Sequence, residues 1–290
     1  MRCELCPRRC GAERTERIGA GRCAMPAVPV VARAALHRWE EPCISGTRGS
    51  GTVFFSGCPL GCVFCQNGRI SHENFGKTVT AARLREIFFE LAAQGAHNIN
   101  LVNPTHFTPW ALEAMQDAPN IPFVWNSGGY ERVETLRVLE GKVQIYLPDM
   151  KYADSALARE YSDAEDYFEV AAAAIREMFR QVGPYRMGEG GILASGVVVR
   201  HLMLPGALEN TRRVIDWFSQ TFKPGEVLFS LMNQYTPQEG AQGVLRRRVS
   251  GAEYRAAAAY MENCGIRDGF LQDASSAQAQ YTPDFNLQGI

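Results

Sequence analysis

Gly57-Cys58-Pro59-Leu60-Gly61-Cys62-Val63-Phe64-Cys65-Gln66-Asn67 directly follows a short apolar run at 52–56. Three thiolates so closely spaced can curl around one polynuclear iron–sulfur core. Gly57 and Gly61 permit the tight backbone this needs. A four-iron cube with three cysteine ligands keeps one iron open to a small chelating ligand, unlike an electron-transfer cluster closed by four thiolates. A zinc knuckle is the bland alternative. Spacings of three and then two residues, with no fourth ligand nearby, suit it poorly.

Outward from this loop the chain acquires a rhythm. Apolar runs recur at 52–56, 98–102, 122–125, 143–148, 197–204 and 227–232. Helical patterns lie between or after them, at 81–94, 110–116, 132–139, 164–181, 208–222 and 251–263. In the first, Leu84, Ile87, Phe88 and Leu91 share a face. Strand–helix alternation predicts an α/β fold with a parallel sheet, open or partly barrelled, since six units cannot complete an eight-unit barrel. Ligands then bind at the C-terminal ends of the strands. The apolar stretch 28–39 is expected to be extended, and Gly46, Gly49 and Gly51 to form a hairpin turn.

Cys-x3-Cys-x2-Cys with Phe64 before the last cysteine resembles the signature of radical S-adenosylmethionine enzymes. The wider chain is similar to the pyruvate formate-lyase activating enzyme family, in particular its PflX-type branch, which shares the Cys-rich start and the segment from Glu41 to Gly46. The resemblance implies a partial (β/α)6 TIM-type barrel over 41–290, with a C-terminal helix and tail, behind a small Cys-rich N-terminal extension over 1–40. It also implies a [4Fe-4S] cluster on Cys58, Cys62 and Cys65, with Phe64 beside the cofactor. S-adenosyl-L-methionine would chelate the open iron, and its reductive cleavage would yield a 5′-deoxyadenosyl radical for hydrogen abstraction. A reductant such as flavodoxin or ferredoxin and a glycyl-radical protein substrate are the implied partners.

The other strand ends supply further candidates. Val102-Asn103-Pro104-Thr105-His106 departs from the family's Gly-Gly-Glu, yet Asn103 and Thr105 carry oxygens able to accept ammonium protons. His106 is either an acid or base toward substrate or a loop hydrogen-bonder. Asn126 lies in a turn with Gly128 and Gly129. Asp149-Met150-Lys151 is similar to the family's Asp-x-Lys, and residues two apart in extended chain face the same way. Lys151 is therefore expected toward the methionyl carboxylate. Arg200, in an apolar strand, needs an anionic partner, and a cofactor carboxylate would serve. His201 should point away from the site. Gln234 is expected near the ribose.

Four further cysteines stand at Cys3, Cys6, Cys10 and Cys23. Four thiolates suit a tetrahedral zinc site or a second cluster, and the balance leans to structural zinc because ferredoxin spacing is absent. Arg8, Arg9, Arg14, Arg17 and Arg22 would offset the charge. Cys43 and Cys264 read as structural thiols.

The chain's 290 residues and 46% hydrophobic content allow one large core. Its net charge of −1 argues against a dedicated nucleic-acid binder. No apolar run is long enough to span a membrane, and the start shows no signal peptide, so a cytoplasmic enzyme is expected. Two alternatives stand beside activation of a glycyl-radical enzyme: a radical enzyme modifying a peptide or small molecule, and a non-catalytic iron–sulfur carrier or redox sensor.

Overall fold

A computed structural model of the chain describes residues 2–16, 19–272 and 283–290. Arg17 lies outside them. Strands β1 (Val30–His37), β2 (Ser50–Phe55), β3 (Lys77–Thr78), β4 (Ile99–Val102), β5 (Phe123–Ser127), β6 (Ile145–Pro148), β8 (Leu193–Leu202), β9 (Leu228–Met232) and β10 (Gly269–Leu271) form one sheet, with β7 (Arg186–Met187) paired antiparallel to β8. The order is β10-β9-β8-β6-β5-β4-β2-β1-β3. From β2 to β10 every neighbour is parallel, whereas β1 runs antiparallel to both β2 and β3. The sheet is not closed: it is the expected α/β partial barrel, with its six predicted strands in place. The turn expected around Gly46 and Gly49 lies in the connection between antiparallel β1 and β2, but Gly51 belongs to β2 itself. Val30–His37, which falls within 1–40, is part of the sheet.

Helices α3 (Ala81–Ala93), α4 (Thr108–Ala114), α5 (Val133–Arg137), α7 (Tyr167–Val182), α8 (Leu208–Thr221) and α9 (Gly251–Asn263) follow the predicted patterns, behind the short turns α1 (Pro42–Ser45) and α2 (Gly68–Ser71). One helix was not anticipated. α6 (Ser155–Ser162) is capped by Asp154, whose carboxylate accepts from the N–H groups of Ala156 and Leu157. The 3.6-residue pattern that begins at 164 starts beyond it. The three-residue β10 was also not anticipated, being too short to show a period.

Strand alternation divides the side chains between two layers. Val53, Leu101, Trp125, Tyr146, Val199 and Phe229 join Leu84, Phe88, Ile175, Val214 and Phe218 in the main core between sheet and helices. The opposite face holds Val124, Ile145, Leu147, Val198 and Leu228, which pack with Cys43 and Ile44. α1 therefore plugs the lower half of the barrel interior. Asn98 anchors it, donating from Nδ2 to the Ile44 carbonyl at 2.8 Å. Above the plug the inner face turns polar, with Asn100 on β4, Asn126 on β5 and Arg200 on β8.

Candidate active site

The cavity above the plug is lined by Cys58, Cys62, Phe64 and Cys65 on one side and by Asn126, Asp149, Lys151 and Arg200 on the other; Asn103 and Gln234 also border it. The loop after β2 thus meets the ends of β4, β5, β6, β8 and β9. Thr105 does not join them. Its hydroxyl is fully buried and donates to Glu131 Oε1. His106 also faces the interior, with Nε2 2.7 Å from the Ser56 carbonyl, and burial pushes its pKa down to about 3. It is a neutral loop hydrogen-bonder rather than an acid or base toward the cavity.

The cysteine loop is held from several sides. Cys65 N–H donates to the Cys62 carbonyl at 3.0 Å, and Ser162 Oγ lies 2.9 Å from Cys62 Sγ. Burial pushes the Cys58 thiol up to about 12. A bare thiolate is costly there, and a bound metal would offset that cost. Asn67 Oδ1 and Ser71 Oγ are buried on the same cavity wall without partners. Three convergent cysteines beside unsatisfied polar atoms fit a cluster with an open coordination position. Phe64 is largely buried, its ring edge-on to Tyr152, Tyr161 and Tyr235 at 6.2–6.4 Å.

Opposite stands a chain of charges. Lys151 Nζ donates to Asp149 Oδ2 at 2.6 Å, and Arg200 Nε to Asp149 Oδ1 at 2.9 Å. Arg200 also reaches Glu40 Oε2 at 3.0 Å and Asn126 Oδ1 at 2.7 Å. Glu40 Oε1 accepts from Asn126 at 3.1 Å and Asn100 at 3.3 Å. Arg200 therefore finds its anions within the chain, and its burial does not call for a ligand carboxylate as expected. Burial works against the charge on Lys151, but Asp149 and the nearby Cys62 outweigh it and hold the ammonium above the ordinary lysine value. Burial likewise opposes the charge on Asp149, yet Arg200 and Lys151 keep its carboxyl below the usual range. Glu41, next to Glu40, is pushed up by burial to about 7.

Glu40 is the residue the sequence reading missed. The Glu-Glu-Pro triplet at 40–42 is an unusual pair of charges before a helix-starting proline, and only the plug geometry places it among the strands. Asn103, at φ 57, takes a left-handed conformation that asparagine tolerates. Its amide donates to the Gly57 carbonyl at 2.6 Å and so ties β4 to the cysteine loop. Gln234 Oε1 accepts from Gln272 at 3.1 Å. His201 points away, with Nδ1 2.7 Å from the Met150 carbonyl and Nε2 3.0 Å from Thr211 Oγ1.

At the N-terminus, Cys3 and Cys6 are buried, Cys23 is half-buried and Cys10 is exposed. Arg14 is buried near Cys3 and stacks over Phe107, at 4.9 Å from the ring centre. Arg8 and Arg22 do not surround these thiols as expected. Arg8 donates to the carbonyls of Pro59 at 2.8 Å and Ser162 at 2.7 Å, and Arg22 to that of Leu60 at 3.3 Å. Arg8 and Arg22 thus both clasp the loop that bears Cys58 and Cys62.

SuiB of Streptococcus suis bound to S-adenosylmethionine superposes with a TM-score of 0.52 at 12% identity, over 74% of this chain and 48% of that one. SuiB bound to its precursor peptide SuiA gives the same score, over 46% of its length. Methylornithine synthase (PylB) gives 0.49 at 17% identity, over 71% of this chain and 59% of that one. The chain spans about half the length of SuiB, and the likeness is one of fold alone. No protein-family model matches the chain. Uncharacterized protein MJ0674 of Methanocaldococcus jannaschii is 30% identical over 269 residues, 88% of this chain and 72% of its own length. The chain belongs to the same family as that protein.

Proposed function

We propose that this chain is a radical S-adenosylmethionine enzyme of the glycyl-radical-enzyme activating type. One observation carries the reading: Cys58, Cys62 and Cys65 share a cavity, at the C-terminal ends of parallel strands, with Asp149, Lys151 and Arg200. When bound, a [4Fe-4S] cluster supplies the electron that splits S-adenosylmethionine into methionine and a 5′-deoxyadenosyl radical. Cys58, Cys62 and Cys65 would hold the cluster and leave a position open for the methionyl group of S-adenosylmethionine with its carboxylate. Lys151, kept charged by Asp149, orients that carboxylate. Arg200 and Glu40 fix Asp149 in turn. Phe64 and its tyrosine neighbours exclude water from the cluster side. Asn103 and Asn126 border the ligand space, Asn103 holding the cysteine loop through Gly57 and Asn126 bracing Glu40 and Arg200, and Gln234 is placed for the ligand's hydroxyls. The reductant is a one-electron donor of the flavodoxin or ferredoxin kind.

The activating subtype rests on the Asp149-x-Lys151 and Arg200 motifs. Its test is hydrogen transfer from a partner glycine to 5′-deoxyadenosine. A second reading, modification of a peptide, draws on the likeness to SuiB, which has been seen with a precursor peptide. The first experiment is anaerobic reconstitution followed by dithionite and S-adenosylmethionine, with 5′-deoxyadenosine measured by mass spectrometry. Product from the wild type and none from Cys65→Ala is expected. A reduced cluster that fails to bind S-adenosylmethionine would move the chain to the class of iron–sulfur carriers.

A further inference from the structure

The C-terminal end of α6 is docked on the cysteine loop at Cys62. Val63 N–H donates to the Tyr161 carbonyl at 2.9 Å, and the Arg8 guanidinium donates to the Ser162 carbonyl at 2.7 Å. These two contacts tie helix to loop through backbone groups. A third reaches the sulfur itself: the Ser162 hydroxyl donates to Cys62 Sγ at 2.9 Å. Behind Ser162 stands Tyr152, its hydroxyl 2.7 Å from Ser162 Oγ. The tyrosine ring is locked by packing, edge-on to Tyr167 at 5.2 Å and to Phe64 at 6.4 Å. Cys62, Ser162 and Tyr152 are all buried. Hydrogen bonds in such surroundings are electrostatically stronger than in water.

The proton count sets the direction of the chain of contacts. Each hydroxyl has one hydrogen to give. A cysteine that ligates a metal is a thiolate and can only accept. With the Ser162 hydrogen on the sulfur, the Tyr152 hydroxyl donates to Ser162 Oγ. The relay therefore runs from Tyr152 through Ser162 to Cys62, and each bond polarises the next.

We propose that Ser162, backed by Tyr152, is a positioning residue that raises the reduction potential of the cluster by acting through Cys62. Hydrogen bonds to the sulfurs are among the features that set a cluster's potential. The reduced cluster carries one more negative charge than the oxidised one, so a donor on its sulfur favours the reduced form. One electron passes from the donor protein to the cluster, and the two hydroxyl protons stay where they are. The inference rests on the cluster-binding part of the proposed function.

The test is a redox titration of the full chain, reconstituted anaerobically and reduced with dithionite in the absence of S-adenosylmethionine. It follows the electron paramagnetic resonance signal that a Cys58→Ala/Cys62→Ala/Cys65→Ala variant lacks. In Ser162→Ala the midpoint should fall, leaving about tenfold less reduced cluster at a fixed potential, or about 59 mV for one electron. Iron content should match the wild type. In Tyr152→Phe the serine hydroxyl remains but loses its backing, so the midpoint should fall by less. A merely structural role would change iron content or melting temperature and leave the midpoint in place. An unchanged or higher midpoint in Ser162→Ala would overturn the inference, and an unchanged one in Tyr152→Phe would remove the tyrosine from it. A wild-type chain with no signal that depends on Cys58, Cys62 and Cys65 would overturn the proposed function itself, and this inference with it.

Discussion

Lys151 sits where two demands meet. It is partly buried beside thiols, and Asp149, 2.6 Å away, helps keep it charged. Replacing it with alanine removes the cation offered to the ligand carboxylate and leaves Asp149 with Arg200 alone. A charge-assisted contact contributes about 1.5–3 kcal/mol. Lys151→Ala is therefore expected to weaken S-adenosylmethionine binding about 10- to 100-fold by equilibrium dialysis of the reconstituted protein. A carrier that does not use this cavity would show no change. His201 supplies a test of stability. It is fully buried as a neutral ring, and burial lowers its pKa from 6.5 to about 4. The unfolded chain therefore binds the extra proton more readily between these values. Stability from this group is fully present above 6.5 and falls as pH drops toward 4, by about 3 kcal/mol over the window. His37 and His106, also lowered by burial, act with the same sign. In His201→Gln, urea unfolding between pH 7 and pH 5 should show a shallower loss than in the wild type. Equal slopes would mean that His201 does not carry this proton linkage.

At the scale of elements, the site depends on turns that bring strand ends close together. Gly129, at φ +78 after β5, has no room for a side chain, because a Cβ would overlap the Asp149 carbonyl at the end of β6. Tyr167 of α7 locks the same junction. Its hydroxyl accepts from the Lys151 N–H at 2.9 Å and lies 2.8 Å from the carbonyls of Gly128 and Asp149, one of which takes its proton. Gly129→Ala should cost about 1–3 kcal/mol in unfolding free energy and also displace Asp149 and Lys151, weakening cofactor binding. A variant with wild-type affinity would show that the junction can shift without disturbing the charges. The element patterns were legible where they were long. Leu84, Ile87, Phe88 and Leu91 are all buried on α3 as their spacing implied. Ser250 caps α9 in a capping box with Glu253. α6 and β10 were not legible because a short element has too few turns or alternations to display a period.

At the scale of the whole molecule, the sheet is open, and the C-terminal residues cover it along β1. The Leu287 N–H donates to the Ala32 carbonyl at 3.0 Å, and the Ala34 N–H donates to that of Gln288 at 2.8 Å, so the last residues run along β1. Phe285 packs edge-on against Phe54 at 5.5 Å. The N-terminal segment holds the cysteine loop through Arg8 and Arg22. Among the described residues no helix is long and apolar enough to cross a membrane. Because the N-terminal segment lacks its own core, iron removal should loosen it together with the loop it clasps. The chelated protein is expected to melt several degrees below the reconstituted one, at about 2–4 °C per kcal/mol lost for a chain of this size. Trypsin should then cut first near Arg8, Arg9 or Arg14. Identical melting and cleavage patterns would mean that the metal does not support the segment.

The sequence by itself determined the strand rhythm, the cysteine loop after the first parallel strand and the polar residues at later strand ends. These are local matters of period, spacing and side-chain chemistry, readable without knowing what lies opposite. The tertiary structure alone decided which charges meet. Glu40, more than a hundred residues from Arg200, becomes its partner because α1 turns back into the barrel, and Thr105 leaves the cavity for Glu131 because its turn rotates inward. Placing a charged group depends on which buried partners reach it across the fold, and those partners come from segments whose distance in sequence carries no trace of their contact.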